Sequence, residues 1–244
     1  MKILVAGNFT PPEICPVDCT QNCIDALNPY CDEVWASLEV ESVKKADAMI
    51  LPGGLPDVNP AYWGEENTGC SLIDDELDKL QMDMLDEAVR LKKPVLGICR
   101  GYQLLAVYFG ATLCQDIKES RYHKFQPDNP LFHDTYCIEN TFMQKIYGNR
   151  VVTNSAHHQA IENLPDCLEI SQVWINDDVD SLAILQQIAD KSFRKSTDDC
   201  IIEAVYHKDL PIIGVQWHPE MTGKWISKKA DSKKLYEYFF HLNK

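Results

Sequence analysis

The sequence predicts an α/β fold: one domain over residues 1–244, with a mostly parallel central sheet flanked by helices. Three observations carry this. Short apolar runs of strand length recur along the chain and read as buried strands. Asp74 to Leu91 has the spacing of an amphipathic helix, with acids at its start and Leu77, Leu80, Met84, Leu85, Ala88 and Leu91 as its apolar stripe. Lys93-Pro-Val-Leu-Gly-Ile-Cys99-Arg-Gly-Tyr-Gln103 passes from a buried strand straight into a helix.

In chain order, Lys2 to Ala6 reads as a strand and Cys19 to Leu27 as a helix with Cys23, Ala26 and Leu27 apolar. Glu33 to Leu38 is a strand, and Ala46 to Leu51 a buried strand ending in a Pro-Gly-Gly turn. Pro94 to Ile98 is the central strand, followed by a helix through Leu104, Leu105, Val107 and Tyr108. Residues 111 to 175 read as shorter strands and loops. Ile201 to Tyr206 and Ile212 to Trp217 are late strands. Asp231 to Leu242 closes as a helix with Leu235, Tyr238, Phe239 and Leu242 inward. No repeat, low-complexity tract or interdomain linker is evident.

The hydrophobic fraction of 45% suffices for a full core. A net charge of −14 argues against non-specific binding to nucleic acid or to an acidic membrane, which needs clustered Lys and Arg. The run Ile3-Leu-Val-Ala6 is far too short for a signal or membrane helix, which points to a cytoplasmic protein with reduced thiols. Cys15, Cys19 and Cys23 are spaced by four, with Cys31 beyond, and Pro16 makes Cys15 extended. Three cysteines in even series match closed zinc sites poorly, so they read as small buried hydrophobes, and no metal is expected.

Chemistry concentrates at two segments. Gly97 and Gly101 flank Cys99 as Gly-x-Cys-x-Gly, the spacing that permits a sharp strand-to-helix turn and presents the central side chain outward. The turn also sets the sulfur at a helix N-terminus, which favours thiolate. Pro211-Ile-Ile-Gly-Val-Gln-Trp-His218-Pro-Glu220 is a strand ending in His-Pro-Glu. Pro219 biases His218 toward an extended conformation, in which residues i and i+2 share a side. Glu220 can then orient the His218 ring while that ring faces a nucleophile. Cysteine, histidine and carboxylate together follow the logic of a catalytic triad.

With these motifs, Leu51-Pro-Gly-Gly54-Leu-Pro-Asp-Val-Asn-Pro60, Tyr62-Trp-Gly-Glu-Glu66 and Asn154-Ser-Ala-His-His-Gln-Ala-Ile161, the chain resembles the class I glutamine amidotransferase superfamily. It resembles in particular the γ-glutamyl-γ-aminobutyrate hydrolase branch, peptidase family C26. The match runs in order from about residue 45 to residue 222. The resemblance implies a flavodoxin-like arrangement and a cysteine-dependent hydrolase of γ-glutamyl amides, with a γ-glutamyl thioester on Cys99. It implies an oxyanion hole from the backbone N–H groups of Gly54 and Arg100, and glutamyl contacts from Gln103 and the turn His157, His158, Gln159. It implies no cofactor.

Two other readings stay open: a glutaminase subunit handing ammonia to a separate synthase, and a non-catalytic binding protein on the same fold. The adjacent pair His157 and His158 could suggest a metal, but neighbouring rings diverge and no carboxylate completes a site. His123, His133, His207 and His241 read as structural or surface residues. The Arg100 side chain either steers an anionic group or anchors a carboxylate. Residues 177 to 199 depart from the family pattern and could form a helical lid, a homodimer contact or a surface insertion. A small-molecule γ-glutamyl substrate is the expected partner.

Overall fold

The computed structural model describes residues 1–244 except 12, 14–16, 119, 127, 197 and 243–244, so the reading of Cys15 lies outside the described residues. The elements run β1 (Lys2–Val5), α1 (Cys19–Leu27), β2 (Glu33–Ala36), α2 (Val40–Lys45), β3 (Ala48–Leu51), α3 (Asp75–Arg90), β4 (Val95–Ile98) and α4 (Arg100–Tyr108). They continue with β5 (Thr112–Cys114), α5 (Ser120–His123), β6 (Leu131–Cys137), α6 (Phe142–Tyr147), β7 (Arg150–Ser155), β8 (Ala160–Asn163) and β9 (Leu168–Ile175). The last four are α7 (Ser181–Ala189), β10 (Cys200–His207), β11 (Ile212–Val215) and α8 (Ser232–Phe239).

The main sheet has nine strands in the order β2-β1-β3-β4-β11-β10-β9-β6-β7. β2 through β11 in that order pair parallel, and from β11 onward every pairing is antiparallel. β5 and β8 form a separate antiparallel pair. Strands β3, β4 and β11 are buried at every residue, as parallel strands covered on both faces must be. Their side chains alternate between two cores. Leu4, Leu51 and Val95 join Met84, Leu85, Ala88 and Leu105 under α3 and α4. Ile3, Val5, Ile50, Leu96 and Ile98 join Cys23, Leu27, Leu235 and Phe239 under α1 and α8.

Three expectations change at the level of faces. The α3 stripe keeps Met84, Leu85 and Ala88, but Asp78 and Gln81 are also buried, while Leu77, Leu80 and Leu91 are only half-buried. Asp78 and Gln81 point inward because they receive the Arg100 guanidinium. On α8 the buried residues are Leu235, Tyr236 and Phe239, with Tyr238 and Leu242 half-buried. The stretch 111–175 also contains the short helices α5 and α6. No helix among the described residues is long and apolar enough to cross a membrane.

The segment 177–199 contains α7, capped by Asp180, whose carboxylate accepts from Leu182 N at 3.0 Å. Ile184, Leu185 and Ile188 pack on the core that includes Ile170, and Leu182 stays 76% exposed. None of its described residues lines the cavity at Cys99, so it is not a lid over that cavity.

Candidate active site

β3, β4 and β11 run parallel in register, with Leu51 opposite Gly97 and Ile98 opposite Val215. Whatever follows these strands therefore meets at one sheet edge, the usual place for a ligand in such sheets. Three segments follow: the Pro52-Gly-Gly54 turn, Cys99, and the Gln216-to-Glu220 run.

Cys99 is the N-cap of α4 and sits at φ 48°, ψ −107°, a left-handed conformation rare for a residue with a side chain. Small neighbours make this turn possible. A Cβ on Gly101 would lie 2.1 Å from the Leu51 carbonyl oxygen, and one on Gly97 would lie 2.8 Å from the Tyr102 Cα. Gly101 N donates to Pro52 O at 3.1 Å, which fastens the elbow to the neighbouring turn. The cysteine is 6% exposed.

The His218 ring and Cys99 border one apolar recess, and His218 Nδ1 lies 2.7 Å from Glu220 Oε1. Both side chains are buried. Burial pushes the His218 ring down, but the charges of Glu220 and Cys99 outweigh it and hold the ring well above its ordinary range. Asn154 fixes the backbone here: its Oδ1 accepts from His218 N at 2.8 Å, and its Nδ2 donates to His218 O at 2.8 Å and Trp225 O at 2.9 Å. The sequence put Asn154 inside a motif without giving it this role.

A cavity of about 200 Å³ opens at Cys99, bordered by Gly54, Arg100, Gln103, His157, His158 and Gln159. Asp57, Lys124 and Phe125 line it as well. Neither Lys124 nor Phe125 carried a sequence signal, since both lie in an irregular loop. Gln103 is buried, and its Nε2 donates to Gln159 O at 3.0 Å and Gln216 Oε1 at 3.1 Å. Cys19 lies with Cys99 and His218 at an adjoining apolar recess, whereas Cys23 is buried in the core. Cys70 contacts Gln159 Nε2 at 3.2 Å, and burial, with the nearby Asp57 charge, pushes its thiol up to about 11. No disulfide joins the described cysteines.

The Arg100 side chain is committed elsewhere. Its Nε donates to Pro56 O at 2.7 Å, and its two terminal nitrogens bind Asp78 and Gln81. The guanidinium thus ties the elbow helix to α3 and to the loop after Gly54.

His157 and His158 diverge. His158 Nε2 lies 3.0 Å from Asp57 Oδ1 and its Nδ1 3.3 Å from Asp116 Oδ1, and the hydrogen bond to Asp57 raises its pKa despite burial. Burial pushes Asp57 up, but His158 and the Ser71 amide and hydroxyl together hold it below its ordinary value. His157 turns the opposite way, with its Nδ1 2.9 Å from Gln159 O and its Nε2 3.6 Å from Glu203 Oε1. The expectation that no carboxylate completes a site near this pair is therefore corrected. Glu203 was read only as a strand residue of β10, and the fold delivers it to His157, His123 and His133. Burial holds both His123 and His133 below the ordinary histidine range.

The sequence profile of the peptidase C26 family matches residues 36–220, which takes in the Pro-Gly-Gly turn, Cys99 and Glu220. The chain belongs to the peptidase C26 family. A glutamine amidotransferase-like protein of Lactococcus lactis subsp. lactis is 32% identical over 198 residues, covering 79% of this chain and 72% of that one. The γ-glutamyl-γ-aminobutyrate hydrolase of Escherichia coli O157:H7 is 28% identical over 213 residues, covering 83% of this chain and 74% of that one. The glutaminase domain of a Trypanosoma brucei CTPS, solved with bound acivicin, superposes with a TM-score of 0.61 at 17% identity, over 99% of this chain and 92% of that one. This C26 chain is thus glutamine amidotransferase-like in sequence and class I glutamine amidotransferase in fold, consistent with a cysteine hydrolase.

Proposed function

We propose that this chain hydrolyses γ-glutamyl amide bonds, releasing glutamate and an amine. The observation that carries the reading is Cys99 held in a left-handed elbow, bordering one recess with a His218 ring that Glu220 holds at 2.7 Å. His218 takes the thiol proton, and the Cys99 sulfur attacks the side-chain carbonyl of the glutamyl group. The backbone N–H groups of Gly54 and Arg100, which border the same cavity, receive the oxyanion. The tetrahedral intermediate collapses as the C–N bond breaks, and the imidazolium gives its proton to the departing amine. His218 then deprotonates water, which attacks the thioester, and the thiol leaves with its proton restored. Gln103 and the turn from His157 to Gln159 serve the glutamyl half. The activity named for the Escherichia coli relative supports this substrate class.

The test is a panel of γ-glutamyl amines alongside glutamine and α-linked glutamyl peptides, scored by glutamate release. Different γ-linked amines should react within about 10- to 100-fold of one another, the discrimination of a loosely lined amine pocket. Hydrolysis of α-linked peptides as fast as γ-linked ones would remove the reading. The likeness to a glutaminase domain favours the second reading, a subunit that supplies ammonia to a synthase. Fast glutamine hydrolysis, raised further by a copurifying partner, together with inert γ-glutamyl amines, would establish that alternative instead.

A further inference from the structure

We propose that His123, His157 and Glu203 bind a divalent transition-metal ion of the zinc class, at a buried site that shares His157 with the wall of the Cys99 cavity. Four segments converge there: the end of α5 (His123), β6 (His133), the turn before β8 (His157) and β10 (Glu203). The residues are between 0% and 9% exposed, so no solvent shell satisfies them.

The spacing is the first argument. Glu203 Oε1 lies 3.6 Å from His157 Nε2, 3.7 Å from His123 Nδ1 and 3.7 Å from His133 Nε2. These separations exceed a working hydrogen bond, which spans about 2.7–3.2 Å. They approach the roughly 3.3–3.5 Å that separates two donors on one tetrahedral zinc with bonds of about 2.0–2.2 Å. One donor atom from each of His123, His157 and Glu203 lies within 4.8 Å of the other two. His133 is the nearest candidate for a fourth donor.

The second argument is the set of unpartnered atoms. Among the described residues, both Glu203 oxygens, His157 Nε2 and His133 Nε2 lack a hydrogen-bond partner, and the His123 nitrogen nearest Glu203, Nδ1, lies 3.3 Å from Ser155 Oγ. His157 Nδ1 donates to Gln159 O at 2.9 Å, which leaves the Nε2 lone pair facing the carboxylate. Two acceptors turned toward each other without water repel, and a cation between them removes the conflict. A backbone carbonyl holding the far nitrogen is also how metal-binding imidazoles are normally oriented. Nitrogen donors with one carboxylate suit zinc rather than magnesium or calcium, which take oxygen shells. The ion would fasten the turn from Ala156 to Gln159, which borders the Cys99 cavity, onto β10.

The experiment measures metal content in the full chain, produced with zinc supplied and then dialysed exhaustively, and is independent of any substrate. About one ion per chain is expected, with a zinc-edge absorption spectrum showing only nitrogen and oxygen donors. His123→Asn and Glu203→Gln should each lower retained zinc at least about tenfold, while Cys19→Ser and Cys99→Ala should keep it. The absorption spectrum of the unaltered protein decides the matter where a variant fails to fold. A metal-free protein after zinc supply, or sulfur in the first shell, would overturn the proposal, the latter by placing the ion at the rival grouping of Cys19, His218 and Glu220.

Discussion

Two buried histidine–carboxylate groupings sit close to one cavity and are built on opposite principles. At the elbow, His218 and Glu220 are two residues apart on one extended segment and meet at 2.7 Å. In the His123, His133, His157 and Glu203 cluster, three histidines from three segments stand 3.6–3.7 Å from one Glu203 oxygen. The first is a closed hydrogen bond that fixes a tautomer and leaves the other ring nitrogen for a sulfur. The second is too wide for a hydrogen bond and leaves lone pairs facing inward. A short local contact suits moving a proton, whereas a wide convergent one suits holding a cation.

The largest effect that would separate the two belongs to the sulfur. Cys99→Ala should lower turnover by several orders of magnitude, in line with loss of other triad nucleophiles, and leave zinc content untouched. Full activity in that variant would break the comparison at its active end. Glu220→Gln should keep the fold but lower kcat/KM by roughly 10²–10⁴-fold, because the ring loses its orienting carboxylate. It should also move the acidic limb of the pH profile down, because His218 takes the thiol proton only when its ring is neutral. The His218 pKa is raised above its value of 6.5, so the protonated ring is favoured below that value and loses its proton only as pH climbs through the higher folded-state value. A profile identical to that of the unaltered protein would take Glu220 out of the mechanism. With zinc bound, Glu203→Gln should instead lower stability by about 3–5 kcal/mol, because the buried ion loses its one carboxylate. An unchanged denaturant midpoint would mean that the cluster holds nothing together.

Smaller effects sharpen the picture around the cavity. Gly101→Ala should cost about 3 kcal/mol, because its Cβ would collide with the Leu51 backbone, and denaturant unfolding measures it. Asp57→Asn should cost about 1 kcal/mol and flatten the pH dependence of stability. His158 is raised from 6.5, so its contribution is present below that pH and fades above it. Asp57 is lowered from 3.8, so its contribution is present above that pH and is lost on acidification. The pair therefore helps most between those limits, and equal pH curves for variant and unaltered protein would exclude it.

Legibility in the sequence followed distance along the chain. The strand, elbow and helix around Cys99 could be read because glycine spacing and apolar runs are local signals. The α1 helix was readable from Cys19 to Leu27, while its Asp18 cap came only with the structure. The stripe of α3 was misread at Asp78 and Gln81 because their burial depends on Arg100, from a different helix. The same limit hid Asn154 as the clamp on His218, Cys19 as a neighbour of His218, and Phe125 as a wall of the cavity. None of these has a periodic or capping signature, since each takes its role from a residue far away in sequence.

The sequence by itself determined the alternation of strands and helices, the sharp turn that presents Cys99, and the extended His-Pro-Glu run that puts Glu220 beside His218. Those features rest on backbone sterics and on contacts between near neighbours, which the order of residues specifies directly. Only the tertiary structure decided that the Arg100 guanidinium is spent on Asp78 and Gln81, that 177–199 contains a helix packed away from the cavity, and that Glu203 draws three histidines around itself. Each of those depends on burial, which forces a buried polar group to find its partner wherever the folded chain brings one.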